Sequence, residues 1–231
     1  MPVVAPVIVF ANPKGGAGKT TAALLLATEL AGGGASVAVI DADPERWISQ
    51  WGALEGRPAA VTILSDVSED TIIDRIEEAS GAAQFTIVDL EGTASLTVAS
   101  AIGMADLVVI PVQGSSMDAR GAAKTVRLIR NQERMARRAI PHAVVLTRTG
   151  AAVTSRSLRN VAEQLRAGGV DVLGTPIVER AAFRELFDFG GTLADLDPRA
   201  VSNLARARTN ARLFAGEVVD RLRGDAAKEA A

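Results

Sequence analysis

A glycine-rich segment near the start of the chain separates a strand pattern from a helix pattern. The apolar run Val7–Ala11 predicts a buried strand, and residues 20–31 predict a helix that ends at the glycines of residues 32–34. Between them, residues 14–21 read Lys-Gly-Gly-Ala-Gly-Lys-Thr-Thr. This order is typical of a phosphate-binding loop, because backbone N–H groups can surround phosphate oxygens only where side chains are absent. The alternative is a glycine-rich turn that merely contains lysine.

The residue types of this loop fit the parts of a nucleoside triphosphate bound with Mg²⁺. Lys19 would neutralise the β- and γ-phosphates, Thr20 would present its hydroxyl to Mg²⁺, and Thr21 would reach an α-phosphate oxygen. The dipole of the following helix adds to the attraction for phosphate. The backbone donors of the loop are Gly15, Gly16, Ala17 and Gly18.

Short apolar runs alternate with helical patterns along the rest of the chain. Near-continuous apolar strands favour an α/β fold, in which a mostly parallel, twisted sheet carries helices on both faces. We expect a single domain over residues 1–223 and a disordered tail over residues 224–231. The predicted strands are Val37–Ile40, Val61–Leu64, Phe85–Val88, Leu107–Val112, Ala143–Thr147 and a short one at 172–177, and the predicted helices span 69–79, 116–138, 155–167 and 200–223.

Composition excludes several classes of function. The 231 residues include no cysteine, which rules out disulfides, thiolate metal sites and iron–sulfur clusters. The formal net charge is −2, so any nucleic-acid binding requires a local basic patch. No apolar run approaches the roughly 20 residues of a membrane-spanning helix, and we expect a cytoplasmic protein.

Carboxylates follow two of the predicted strands. Asp41 and Asp43 follow Val37–Ile40, and Asp89 follows Phe85–Val88. Parallel strands end at the same edge of a sheet, so these groups should lie near the loop, where Mg²⁺ needs oxygen ligands and an attacking water needs an acceptor. A single aspartate here would be a helix cap or a turn residue. Two such strand ends beside a phosphate loop favour a hydrolysis site.

These motifs resemble those of the ParA/MinD family of deviant Walker A ATPases. The family pattern K-G-G-x-G-K-[ST] matches residues 14–20, and Pro13 stands where the usual phosphate loop has its first glycine. Residues 41–44 are similar to the family's D-x-D-P segment, and residues 87–92 to its Walker B and switch II region. Similarity continues through residues 111–118, 175–177 and 189–193, over roughly residues 4–213, and residues 43–51 also resemble the VirC group.

The resemblance implies roles for individual residues. Lys14 would reach across an ATP-sandwich homodimer to the phosphates bound by the other copy, acting in catalysis with Lys19 and Asp43. Asp43 would position the attacking water. Asp89 would hold Mg²⁺ through water, and Asp43, through water, and Thr20 would also contact the metal ion. The remaining ATP contacts would be Asp41, Gly92, which could sense the γ-phosphate, and Pro176 in an adenine-side loop.

The same resemblance implies a short ParA-type ATPase with weak basal activity. ATP would close a dimer that binds DNA without sequence preference on the nucleoid. A ParB-like or other adaptor protein would stimulate hydrolysis, so that a plasmid or another cargo is segregated or positioned. A VirC-like role in conjugative DNA transfer and a MinD-like role at a membrane are alternatives, although no membrane partner is expected because the C-terminal residues lack a bulky apolar face. Lys14 argues against ATP-dependent ligases on this fold, and the absence of cysteine argues against nitrogenase-type reductases.

Two basic clusters are candidates for DNA contact. In the helix pattern over residues 119–140, the cations Arg120, Lys124 and Arg127 belong to a stripe about 80° wide. Such a stripe is either a solvated face or a footprint for the phosphate backbone. Arg180 and Arg184 match basic positions of ParA relatives and are either DNA contacts or partners of nearby glutamates.

Overall fold

The sheet of this protein is parallel throughout. It is seen in a computed structural model that describes residues 5–93, 95–114, 116–150 and 156–229. The strand order is β3-β2-β4-β1-β5-β6-β7, and β8 pairs with β6. The strands are β1 Val7–Phe10, β2 Val37–Ala42, β3 Val61–Leu64, β4 Phe85–Leu90, β5 Leu107–Val112, β6 His142–Thr149, β7 Asp171–Val172 and β8 Ile177–Val178. The α/β fold and its parallel sheet are therefore confirmed.

Helices cover both faces of the sheet. They are α1 Lys19–Gly32, α2 Trp47–Ala53, α3 Ile72–Ala82, α4 Leu96–Met104, α5 Ser116–Ala136, α6 Arg156–Ala167, α7 Ala181–Phe189 and α8 Leu204–Glu229. The sequence pattern missed α2, α4 and α7, which have only seven to nine residues each. None of the described helices is long and apolar enough to cross a membrane.

Two predicted segments differ from the structure. The single strand expected at 172–177 is two short strands, because the backbone between them bonds to α8 instead of to the sheet. The tail expected to be disordered continues α8 as far as Glu229, in keeping with the helix-forming alanine, lysine and glutamate residues there. Residues 230 and 231 lie outside the described residues.

Alternate residues of each central strand enter two separate cores. Ile8 and Phe10 of β1 pack with α1, α7 and α8 on one face, whereas Val7 and Val9 pack with α3, α4, α5 and α6 on the other. This double burial explains why the strands are apolar without alternation.

The position of β1 determines where a ligand can bind. This strand lies between β4 and β5, where the strand order reverses, and ligands of open parallel sheets bind beyond the carboxyl ends of strands at such a point. Phe10 is in register with Asp89, and Asp89 with Asp41. The strand-end carboxylates and the glycine-rich loop therefore meet at one edge.

Candidate nucleotide-binding site

The loop between β1 and α1 has the backbone that a phosphate cradle needs. Gly16 and Gly18 have φ values of 73° and 99°, in the left-handed region that favours glycine. Gly18 precedes the first turn of α1 and has no side chain to cap it. The N–H groups of that turn and the helix dipole are consequently available to an anion.

Side chains from neighbouring strands fix the carbonyl groups of the loop. Gln113 Nε2 donates to the Gly16 carbonyl at 2.5 Å, and Thr147 Oγ1 donates to the Ala17 carbonyl at 2.7 Å. The Asn12 side chain accepts from the Lys14 N–H at 2.9 Å. Because the N–H and C=O of a trans peptide point in opposite directions, anchored carbonyls help turn the N–H groups towards the phosphate position. Sequence reasoning missed both Thr147 and Asn12. Thr147 is 130 residues from Ala17 along the chain, and Asn12 adjoins the loop without belonging to its motif.

Lys19 is the first residue of α1 and is only 5% exposed. Burial lowers the pKa of its ammonium group, and the nearby charges of Asp89, Asp43 and Glu91 oppose that shift. The structure thus brings Lys19 together with the predicted carboxylates Asp43 and Asp89. Glu91 is an additional neighbour that the motifs had not singled out.

Asp89 is the most unusual titratable group of the site. It is 0% exposed, and among the described residues neither carboxylate oxygen has a hydrogen-bond partner of normal geometry. The pKa of Asp89 is raised to about 8, chiefly by burial. The nearby Thr20 hydroxyl and Lys19 ammonium lower this pKa, and the charges of Asp41 and Asp43 raise it. A buried carboxylate without partners beside a threonine hydroxyl fits a divalent cation and its bound water.

The protein atoms alone do not complete a metal site. Among the described residues there is no group of three or more His, Asp or Glu side chains that could hold a metal ion. Mg²⁺ characteristically keeps several waters and binds through one or two carboxylates together with substrate phosphates. The residues therefore fit a cation that arrives with its nucleotide, with Asp89 and Thr20 as its protein contacts.

The two aspartates of β2 and its following turn have different surroundings. Asp41 accepts from the N–H and the hydroxyl of Ser49 at 2.7 and 2.6 Å, which anchors α2 to the end of β2. Its other oxygen is buried without a partner. Asp43 is partly exposed and accepts from the Glu45 N–H at 2.9 Å. Asp41 has a structural contact of the kind expected for a lone strand-end aspartate, whereas Asp43 remains accessible beside the loop.

Gly92 lies directly against the glycine-rich loop. A Cβ atom at this position would stand 3.1 Å from the Gly15 nitrogen and 3.3 Å from its Cα. The segment after β4 and the phosphate loop therefore cannot move independently, which suits a residue that senses the γ-phosphate.

Replacing Gly92 with alanine should separate these two segments. We expect ATP affinity to fall about tenfold, because relieving such a contact by a backbone shift costs about 1–2 kcal/mol. Titration with a fluorescent ATP analogue measures the effect. Gly81→Ala is the control, since a Cβ there meets nothing within 4 Å. Equal affinities for the two variants would show that this contact does not matter.

Lys14 is bound within its own chain. Its ammonium group lies 2.5 Å from Asp118 Oδ1, with side-chain exposures of 36% for Lys14 and 2% for Asp118. This ion pair connects the loop to the first turn of α5. The sequence pattern at 111–118 included Asp118, but only the structure shows its contact with Lys14.

A pocket of about 270 Å³ adjoins the loop on the side of α7. Its lining includes Gly18, Thr21, Ile177, Arg180 and Arg184. The two arginines predicted to contact DNA thus line a pocket beside the glycine-rich loop. Arg184 lies 3.4 Å from Glu179, which matches the alternative prediction of a salt bridge.

Three residues that follow Pro176 form one side of this pocket. They are Ile177, Val178 and Glu179, whereas the Pro176 carbonyl accepts a hydrogen bond from Asn210 at 2.7 Å. Pro176 therefore belongs to the predicted loop without being one of the residues that line the pocket.

The basic face of α5 is exposed. Within the described part of the chain, Arg120, Lys124 and Arg127 have no hydrogen-bond or ion-pair partner, and the same holds for Arg130 and Arg137. Other cations have structural contacts: Arg138 donates to the carbonyls of Gly103 and Ala105, Arg208 to those of Leu193 and Ala194, and Arg221 to Asp171.

The chain is similar to known nucleotide-binding proteins. Residues 8–193 match the family model described as the CobQ/CobB/MinD/ParA nucleotide binding domain. The chain is 40% identical over 217 residues to the ParA protein of Rhizobium radiobacter, covering 94% of this chain and 97% of that protein. It is 28% identical over 188 residues to the virC1 protein of the same organism, covering 79% and 80%. The structure of a Cyanothece McdA–ATP complex shares the fold, with a TM-score of 0.72 at 16% identity over 94% of this chain and 97% of McdA.

Proposed function

Because the chain belongs to the CobQ/CobB/MinD/ParA nucleotide-binding family, as its motifs predicted, we propose that it is a Mg²⁺-dependent ATPase of the ParA type. It forms an ATP-sandwich homodimer, binds DNA without sequence preference and releases that DNA after hydrolysis. The observation that carries the proposal is the buried, unpartnered carboxylate of Asp89 beside Lys19 and the glycine-rich loop.

Each part of the loop has a task in the proposed reaction. The N–H groups of residues 15–18 and the N-terminus of α1 bind the phosphates, and Lys19 neutralises their charge. Mg²⁺, when bound, offsets the charge that develops on the phosphate oxygens. Thr20 and Asp89 hold it, Asp89 through water, and Asp43 orients the attacking water. Phosphoryl transfer of this kind depends on positioning and electrostatic stabilisation more than on covalent chemistry.

The Lys14–Asp118 pair explains why hydrolysis would depend on a second copy. To reach phosphates bound by another protomer, Lys14 must leave Asp118, whose side chain is only 2% exposed. Separating the pair withdraws the Lys14 ammonium from a buried carboxylate, which is costly. Dimerisation is then favourable only when ATP supplies new partners for Lys14, so basal turnover is slow.

The unpaired cations of α5 are the favoured DNA contacts. Arg120, Lys124 and Arg127 are exposed along one helix face and have no competing partner within the described residues. No aromatic side chain is interspersed among them, so contacts to phosphate are expected and base stacking is not. Arg180 and Arg184 are weaker candidates because they line the pocket beside the loop.

The cargo is supported by the relatives alone. Identity of 40% to a ParA protein favours partition of a plasmid, helped by a ParB-like or other adaptor protein that stimulates hydrolysis. Identity of 28% to virC1 keeps a VirC-like role in conjugative transfer as the second candidate.

The decisive experiment measures DNA retention with ATP, with ADP and without nucleotide. We expect wild-type protein to bind DNA only with ATP, at moderate salt, with affinity that falls steeply as salt rises. Lys14→Gln should not respond to ATP, because it cannot complete the second site. Arg75→Gln on α3 is the control for loss of one surface charge. Equal retention of the wild-type protein with ATP and with ADP would refute the proposed function.

A further inference from the structure

Helix α8 provides the polar contacts that hold the segment between β7 and β8. The Glu217 carboxylate accepts from the Gly174 N–H at 2.6 Å and from the Thr175 N–H at 2.8 Å. Asn210 donates to the Pro176 carbonyl at 2.7 Å and accepts from the Val178 N–H at 2.9 Å. Two side chains from one helix therefore fix the backbone at four of the five positions from 174 to 178.

The segment held in this way forms one wall of the pocket beside the phosphate loop. Ile177 and Val178 line that pocket together with Gly18 and Thr21. On either side of the segment, the backbone bonds to the sheet again, from Leu173 N to Val144 O at 2.8 Å and from Glu179 N to Thr149 O at 3.0 Å. Between those two points the wall depends on α8 and on the short pairing of β8 with β6.

The same helix also supports the opposite wall. Ala207, Ala211 and Phe214 of α8 are buried in the core that includes Leu24 and Leu25 of α1, the helix that begins at Lys19. Helix α8 consequently links the phosphate side of the pocket to its base side. A small displacement of the segment relative to α8 changes the width of the pocket without unpacking the core.

We propose that Asn210 and Glu217 are positioning residues that set the base-side wall of the nucleotide pocket, and with it the affinity for ATP and the preference for adenine over guanine. This inference rests on the proposed ATP binding at the glycine-rich loop. Neither residue touches the reacting phosphates; each acts through the backbone of residues 174–178.

The chemistry of the two side chains suggests sharp substitutions. Glu217 uses both oxygens to accept N–H groups, so Glu217→Gln would point an amide N–H₂ at a backbone donor. Asn210 uses a donor and an acceptor, so Asn210→Asp keeps the bond from Val178 and loses the bond to Pro176. Both residues are half-buried, and water can take over their bonds at the surface. The fold should therefore survive while the wall relaxes.

The test titrates a fluorescent ATP analogue into full-length protein and displaces it with ATP or GTP. We expect Asn210→Ala and Glu217→Gln to bind ATP about fivefold to tenfold more weakly, with a smaller ATP-over-GTP preference, and Asn210→Asp to fall between them and the wild type. Their Tm values should stay within about 3 °C of the wild type. Thr209→Ala is the matched control, since within the described residues its hydroxyl donates only to the Ala205 carbonyl of the same helix.

Two results would overturn the proposal. Unchanged ATP affinity and base preference in all three variants would show that α8 does not set the wall. A lower Tm with an unchanged ATP-to-GTP ratio would show that the contacts only stabilise the fold. Failure of the wild-type protein to bind more analogue than Lys19→Met would instead refute the proposed function itself, and this inference with it.

Discussion

Replacement of Lys19 by methionine is expected to reduce ATP hydrolysis at least about a hundredfold and to weaken ATP binding severely. The ammonium group is almost completely buried at the start of α1, beside the N–H groups of the loop. The charges of Asp89, Asp43 and Glu91 compensate the burial of this ammonium group only in part, because its pKa stays lowered. A multiply charged anion at the loop would complete the compensation.

The same substitution should leave the nucleotide-free protein at least as stable as the wild type. Burial lowers the pKa of Lys19, which means that the folded protein loses free energy by keeping it charged. Methionine has a similar volume and no charge, so Tm without nucleotide should be unchanged or higher, while the increase in Tm caused by Mg-ATP should vanish. Thr97→Val on α4 serves as a control for the effect on Tm of replacing a polar side chain by an apolar one in another helix. A lower Tm without nucleotide would mean that Lys19 stabilises the fold, contrary to this account.

Replacement of Asp89 by asparagine should have opposite effects on stability and on activity. Neither oxygen of Asp89 has a hydrogen-bond partner in the part of the chain that the structure describes, so the wild-type protein retains a desolvated carboxyl group that asparagine would remove. We expect Tm in EDTA to rise by about 3 °C or more at pH 8. We also expect Mg²⁺-dependent hydrolysis to fall about 10- to 100-fold, the usual loss when a group that orients a metal's bound water is removed.

The pH dependence of that stability difference has a definite sign. The pKa of Asp89 is raised to about 8 in the folded protein, whereas an unfolded aspartate has a pKa of 3.8. Between these values the folded state binds a proton that the unfolded state does not, so the wild type loses stability as the pH rises. The Tm advantage of Asp89→Asn should therefore widen from pH 5 to pH 8 and then level off. A difference that stays constant over this interval would contradict the assigned environment of Asp89.

The phosphate loop and the main strands could be predicted because their signals are local. The residues of the loop motif are consecutive, at positions 14–21, so the motif can be recognised directly. A near-continuous apolar run predicts a strand that is buried on both faces. The resemblance to ParA proteins added roles for Lys14, Asp43 and Asp89. The structure brings Asp43 and Asp89 to the neighbourhood of Lys19, as strand-end positions in a parallel sheet require.

The contacts that complete the site could not be predicted in the same way. The bond from Thr147 to Ala17 joins residues far apart in the chain, and so does the ion pair between Lys14 and Asp118. The Ser49 hydroxyl that fixes Asp41 lies in α2, a helix of seven residues whose apolar pattern is too short to recognise. The carbonyl of Pro176 accepts a hydrogen bond from Asn210, and this contact depends on the packing of α8, which the local sequence does not indicate.

The central place of β1 has a consequence for the order in which the chain acquires its binding site. Val7–Phe10 precedes its neighbours in the sheet along the chain, since those neighbours are residues 86–89 and 107–109. Both of these later segments must leave the ribosome before the strand that carries the phosphate loop has a partner on each side. Until then the glycines of the loop belong to an unsupported apolar segment, so nucleotide capture has to follow assembly of the sheet and cannot guide its first steps.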